Sequence, residues 1–193
     1  MQAIETRYHG ARFRSRLEAR WAVFFDALDI PWEYEKEGYR LPSGLYLPDF
    51  WLPMQNVHIE VKPDRPNEEE KAKAFDLARE SGRFVFMLIG SDWCCVQCVG
   101  EECTVIGSHL YFTPGGDWDG CMCWGECPTC GAFRIGHHGF PDASYSAEDD
   151  LLPPVECFGH RPKGYVWANE TPRLLRAYAA AKSARFEFED YAP

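Results

Sequence analysis

The chain has 193 residues, enough for one substantial core and a smaller module, and its 46% hydrophobic and 15% aromatic content argues for a folded globule. No apolar run approaches the roughly 18 residues that would mark a membrane span, and no charged segment leads into an apolar stretch at the start, so neither a membrane protein nor a secreted one is expected. The formal net charge of −10 stands against a general nucleic-acid binder, which would normally carry a basic footprint.

The distribution of charge is more informative than its sum. Arg7, Arg12, Arg14, Arg16 and Arg20 fall within the first twenty residues against Glu5 and Glu18, so this segment is locally basic. Arginine forks suit phosphate, and Arg12, Arg14 and Arg16 are the expected nucleic-acid contacts. The bland alternative is a charged helix start that pairs with neighbouring acids.

Ser15 to Leu28 reads as an amphipathic helix. Leu17, Trp21, Phe24 and Leu28 recur at helical spacing, and Ser15 is a plausible cap. Glu18 flanks the apolar stripe, where a carboxylate can reach a neighbouring sheet.

Leu45 to Pro48 reads as extended and ends at Asp49. Ten residues after Pro48-Asp49 comes Glu60-Val61-Lys62. Side chains alternate along a strand, so Glu60 and Lys62 share one face and Ile59 and Val61 the other. A hairpin would set Asp49 beside them, gathering two carboxylates and an amine. A hard divalent cation prefers such oxygen ligands, usually one or two carboxylates completed by water and phosphate. His58 faces the same way as Glu60, close enough to touch a phosphate or a water, although a histidine at such a place is more often a bystander.

Asn67 to Ser81 reads as a charged helix with Ala72, Phe75, Leu77 and Ala78 on its apolar side, stopped by Gly82. Phe84 to Ile89 reads as a buried strand, apolar on both faces.

The pair Pro48-Asp49, the triplet Glu60-Val61-Lys62 and the upstream run containing Glu18 resemble the PD-(D/E)xK nuclease superfamily over about the first ninety residues. The resemblance implies an α/β fold: a restriction-endonuclease-like mixed sheet flanked by helices. It implies a metal-dependent endonuclease hydrolysing phosphodiesters of DNA, with Glu18, Asp49 and Glu60 at Mg²⁺ or Mn²⁺ and Lys62 orienting the attacking water. Small stand-alone nucleases of this kind resemble proteins of bacteria, phages and mobile elements, which implies a cytoplasmic site of action and allows a homodimer. A ribonuclease, or a catalytically inactive nucleic-acid-binding zinc protein on a nuclease-like fold, is the alternative. Some members carry an iron–sulfur cluster with a cysteine ahead of the first motif; here the first cysteine is Cys94, which departs from that pattern.

Nine cysteines in a chain without a secretory signature favour metal over disulfides. Cys127 and Cys130, with Gly131 permitting a tight turn, have the spacing of a zinc knuckle. Cys157 and His160 repeat that spacing and would complete a structural Zn²⁺ site, with Cys121, Cys123, His137 and His138 as competing ligands. Cys95 and Cys98 with Cys121 and Cys123 would form a second zinc site, unless those thiols simply pack as small hydrophobes. The turn-rich run Thr113 to Asp117 suggests a boundary, dividing the chain into a nuclease core over 1–113, a zinc-binding module over 114–170 and a C-terminal helical segment over 171–193. In that last segment Thr171 caps and Pro172 opens a helix, with Leu174, Leu175, Tyr178 and Ala181 or Lys182 as its stripe. The helix is either a strap returning to the core or a second surface facing DNA.

Overall fold

The computed structural model describes residues 4–90, 96–99, 102–105, 110–119, 122–127, 130–137, 166–167 and 171–186. The elements begin with a hairpin of β1 (Thr6–Tyr8) and β2 (Ala11–Phe13), then α1 (Arg16–Ala27) and β3 (Glu33–Tyr34). A second hairpin follows, β4 (Tyr39–Leu41) and β5 (Gly44–Tyr46), then β6 (Phe50–Leu52), β7 (Val57–Lys62), α2 (Glu68–Ser81) and β8 (Phe84–Ile89). The remainder comprises β9 (Val96–Val99), β10 (Glu102–Val105), β11 (Leu110–Thr113), β12 (Gly116–Asp119), β13 (Met122–Glu126), β14 (Phe133–His137), β15 (Val166–Trp167) and α3 (Pro172–Ser183).

The fold is mixed α/β, with three helices among the described residues around a six-stranded sheet of order β12-β11-β8-β7-β6-β3. Only β7 and β8 run parallel, and a parallel pair requires a long crossover, which α2 supplies. The other neighbours are antiparallel. All three helices carry side-chain caps, those at Ser15 and Thr171 as expected. Ser15 Oγ accepts from the Glu18 N–H, Thr171 Oγ1 from the Leu174 N–H, and Asn67 forms a reciprocal capping box with Glu70. Gly82 ends α2 in the left-handed conformation, φ 66°, which a glycine reaches without Cβ strain.

Strand alternation divides the sheet into two packed faces. Phe50, Leu52, Ile59, Val61, Phe84, Phe86 and Leu88 form one core with Trp21, Phe24, Phe25 and Leu28 of α1 and Leu174, Ala177 and Ala181 of α3. Val85, Met87, Leu110 and Phe112 form the other with Ala74, Leu77 and Ala78 of α2. Ala72, expected on the apolar side of α2, is exposed, and Ala74 takes its place. On α3 the expected Leu175 is likewise exposed, and Ala177 is buried instead. Tyr178 stacks on Phe24 of α1 at 4.8 Å between ring centroids, so α3 straps back onto the core.

Two segments differ from the expectation in placement. The extended run ends earlier: β5 stops at Tyr46 and belongs to the separate β4–β5 hairpin, while the strand paired with β7 is β6, which follows Asp49. The turn at Pro114 and Gly115 joins β11 to β12 within the main sheet, and Trp124 and Phe133 of β13 and β14 share the core of α1. None of the described helices is long and apolar enough to cross a membrane.

The reciprocal capping of α2 gives a direct stability expectation. Asn67→Ala should lower the unfolding free energy by about 1 kcal/mol in urea titrations at constant m-value; an unchanged midpoint would show that the capping box contributes nothing to the α2 crossover.

Candidate active site

Three strand ends meet at one edge of the sheet. The β6–β7 register pairs Phe50 with Ile59, Trp51 with His58 and Leu52 with Val57, so one further step sets Asp49 against Glu60. The turn between the strands is made by Pro53 to Asn56, with Asn56 at φ 55°, a left-handed conformation that asparagine tolerates. On the other side of β6, the Asp49 carbonyl accepts from the Glu35 N–H at 2.9 Å. Glu35 itself is at φ 45°, turning the chain away just after β3 and aiming its carboxylate back at the site.

Asp49 is 3% exposed and Glu60 5%, so neither carboxylate has bulk water to stabilise its charge. Each is held by protein donors instead. Asp49 Oδ2 accepts from the Val61 N–H at 2.7 Å, and its Oδ1 from Arg14 Nη2 at 2.7 Å. Glu60 Oε2 accepts from the Tyr46 hydroxyl at 3.0 Å, and its Oε1 lies 3.0 Å from Lys62 Nζ. Lys62 Nζ also lies 2.8 Å from Glu70 Oε1, so the residue that caps α2 also anchors the lysine. Arg14 Nε reaches Glu35 Oε1 at 2.8 Å.

Glu18 is buried and close to Asp49, but its oxygens are differently engaged. Oε1 accepts from Ser15 Oγ at 2.6 Å, and Oε2 from the Tyr34 hydroxyl at 2.6 Å and the Arg14 N–H at 3.1 Å. It therefore fixes the start of α1 and the backbone of Arg14, and acts on Asp49 through its charge.

The electrostatic balance follows from this packing. Burial raises the Asp49 pKa well above the ordinary carboxylate value, the neighbouring charges of Glu60 and Glu18 raise it further, and the Val61 N–H and Arg14 oppose the rise. Burial and the adjacent Glu60 likewise hold the Tyr46 phenol well above its usual range. For Lys62, burial works against the charge, but Glu60 and Glu70 outweigh it and the amine stays protonated. Glu70 is correspondingly held below its ordinary value, chiefly by its bond to Lys62. An ammonium has three donors and no acceptor, so Lys62 can hold a water or a phosphate oxygen but cannot take a proton from it.

The expected residues are thus brought together as Asp49, Glu60 and Lys62, with Glu18 beside Asp49. Tyr34, Glu35, Tyr46 and Glu70 complete the cluster and were not read from sequence; the only local signal was Glu70 three residues after the Asn67 cap. Among the expected nucleic-acid contacts, Arg14 turns into the cluster and Arg12 pairs with Glu5; Arg16 is partly buried at the first position of α1. His58 is buried on the Glu60 face of β7, between the rings of Tyr39 and Trp51.

Among the described residues, no group of three or more His, Cys, Asp or Glu side chains is gathered as metal ligands. At the acidic cluster Arg14 and Lys62 pair with the carboxylates of Asp49 and Glu60, and Ser15 at the α1 cap holds Glu18. The donor set nevertheless fits a hard cation, since two buried carboxylates meet side by side and one of them, Asp49, is disfavoured as an anion by burial and by the charges of Glu60 and Glu18. Arg14, with its side chain 56% exposed, has solvent into which it can withdraw.

The knuckle has its turn but only two of its expected ligands within the described residues. Cys127 is buried and Cys130 exposed. The Cys127 N–H donates to the Ala132 carbonyl and the Gly131 N–H to the Cys127 carbonyl, each at 2.8 Å, with Gly131 at φ 71°. Cys157, His160, Cys95 and Cys121 lie outside the described residues, as do the side chains of Cys98 and Cys123. No family model, curated protein or solved structure matches the chain.

The raised Asp49 pKa makes stability depend on pH with a definite sign. The folded state keeps a proton that the unfolded carboxyl releases near pH 4, so stability falls as pH rises from there towards the folded-state pKa. In metal-free buffer, Asp49→Asn should melt at a higher temperature than the native chain at pH 7, with the gap closing near pH 4. A variant that melts lower at pH 7 would mean that the Arg14 ion pair outweighs burial and repulsion.

Proposed function

We propose that the protein is a metal-dependent nuclease of restriction-endonuclease-like fold, hydrolysing phosphodiester bonds of DNA as an endonuclease. The single observation that carries this reading is the meeting of the buried carboxylates of Asp49 and Glu60 with a charged Lys62 at one sheet edge. The order of α1, β3, β6, β7, α2 and β8, with the β4–β5 hairpin inserted after β3, supports this reading.

Asp49 and Glu60 would hold Mg²⁺ or Mn²⁺, which when bound supplies Lewis acidity at a phosphoryl oxygen and a water of lowered pKa. The remaining work falls to this chain's own groups. The Val61 N–H and the Tyr46 hydroxyl fix the two carboxylates, so that little reorganisation is needed on binding. Lys62, steadied by Glu70, donates from Nζ to the attacking water or to the phosphate. Arg14, released from Asp49, has the planar donor fork that suits a phosphate. Its backbone is held by Glu18 and Tyr34, which makes Glu18 a positioning residue as well as a neighbouring charge.

Cys127 and Cys130 would share a structural Zn²⁺ with Cys157 and His160. This part of the reading rests on spacing and on the turn at Gly131. Cytoplasmic action, in a bacterial or phage setting, follows only from the resemblance.

A second reading, a nucleic-acid-binding protein without turnover, draws on the same ion pairs: Arg14 and Lys62 already neutralise the acids and could stand permanently where a cation would. Cleavage separates the two. With supercoiled plasmid and labelled oligonucleotides in Mg²⁺, Asp49→Ala and Lys62→Ala should each lose roughly 10²-fold or more in rate, the scale seen when a preorganised charge-stabilising donor is removed. Equal rates in all three proteins, or none in the native one, favour the binding protein, and an RNA substrate run in parallel identifies a ribonuclease.

A further inference from the structure

A second constellation lies on the same face of β7, one step away from Glu60. A cavity of about 180 Å³ is lined by Lys36, Glu37, Tyr39, Pro48, Trp51, His58 and Arg83, together with Phe50. His58 is 3% exposed, and its Nε2 is fully buried without a hydrogen-bond partner. A buried imidazole nitrogen left unpaired is costly, so its retention needs an explanation.

The ring is locked in place by its neighbours. The Tyr39 centroid lies 5.5 Å away and the Trp51 centroid 4.8 Å. Trp51 in turn carries two cations, Arg83 at 4.8 Å and Lys36 at 5.6 Å from its ring. Lys36 is paired with Glu33 at 2.9 Å, and the nearby Glu37 accepts from the Tyr39 hydroxyl at 3.2 Å. Arg83 has no carboxylate partner among the described residues. In a chain of net charge −10, this sets a guanidinium, an ammonium and an unpaired imidazole nitrogen around one cavity against a single lining carboxylate, Glu37, which is engaged by the Tyr39 hydroxyl.

Such a set matches an anion in place of a base. The Trp51 face is already covered by the two cations, so it offers no open stacking platform. Guanidinium and ammonium donate to a tetrahedral oxyanion, and the neutral imidazole does so in the tautomer that carries its proton on Nε2.

We propose that this cavity is a phosphate subsite, taking a phosphate group of the polynucleotide adjacent to the one held at Asp49 and Glu60. Naming a polynucleotide rests on the nuclease reading; the affinity for phosphate does not. His58 and Glu60 are two residues apart on one strand, roughly 7 Å along it, and consecutive phosphates of a nucleic-acid strand are spaced on that order. Pro48 lines the cavity immediately before Asp49, so a strand leaving the acidic cluster passes directly into it. Arg83 follows the Gly82 cap of α2, and Lys36 follows the turn at Glu35, so both cations sit at fixed strand ends.

The test uses the full chain without divalent metal. Inorganic phosphate, a 5′-phosphorylated oligothymidine and its unphosphorylated counterpart are titrated while the His58 imidazole signals are followed by nuclear magnetic resonance. Phosphate and both oligonucleotides should shift those signals, and Arg83→Met and Lys36→Met should each weaken binding about tenfold, as expected for loss of a charge-assisted bond. Lys36 is exposed, so its variant leaves folding intact even if that of Arg83 does not. Metal-dependent cleavage by the native protein without any His58 response would overturn the subsite and leave the nuclease reading standing. Phosphate binding that requires Arg83 and Lys36, without any cleavage, would keep the subsite and remove the nuclease.

Discussion

The arrangement depends on the register of one short hairpin. Phe50 opposite Ile59 fixes Asp49 against Glu60 and lets its carboxylate take the Val61 N–H at 2.7 Å. A slip of one residue would send Glu60 and Lys62 into the aromatic core of α1 and Ile59 and Val61 towards α2. Burial on the α1 face prevents it: Phe50, Leu52 and Ile59 are all no more than 1% exposed, and no polar residue could replace them without large cost. The core therefore stabilises the fold and aims the acids together.

Around that hairpin the charges are arranged to compensate each other locally. The buried acids Glu18, Asp49 and Glu60 face Arg14 on one side and Lys62 on the other, and these cations are themselves held by Glu35 and Glu70. The chain's negative sum thus says little about the face a substrate would meet. Arg14, Lys36, Lys62 and Arg83 border the acidic cluster and its neighbouring cavity, so a polyanion would approach positive groups although the whole molecule repels it. The Asp49 carboxyl remains unfavourable as an anion despite Arg14. That residual imbalance is what a divalent cation would relieve.

Local signals were the legible ones. The caps at Ser15 and Thr171, the stop at Gly82 and the apolar strand from Phe84 each involve residues within a few positions of one another, and all are found where the pattern placed them. The alternation in Val57–Lys62 correctly separated Glu60 and Lys62 from Ile59 and Val61. What could not be read were partners brought together by tertiary folding: Tyr34 and Glu35 reach the site from β3, Tyr46 from a hairpin outside the main sheet, and Glu70 from the first turn of α2. The extended run before Asp49 was also divided differently, because Tyr46 ends one sheet and Phe50 starts another. Alanine positions on α2 and α3 were misplaced for a simpler reason, since a small side chain weighs little in a hydrophobic stripe and the neighbouring surface decides which one is covered.

The central claim is that Asp49 and Glu60 exchange their protein-supplied positive charge for a divalent cation. The most direct measurement is the anomalous scattering of crystals soaked in Mn²⁺, compared between the native chain and Asp49→Asn. The account expects Mn²⁺ bound to the carboxylates of Asp49 and Glu60 in the native protein, Arg14 withdrawn from Asp49, and the peak lost in the variant. Arg14 still seated on Asp49, with Mn²⁺ elsewhere or nowhere at this edge of the sheet, would contradict it.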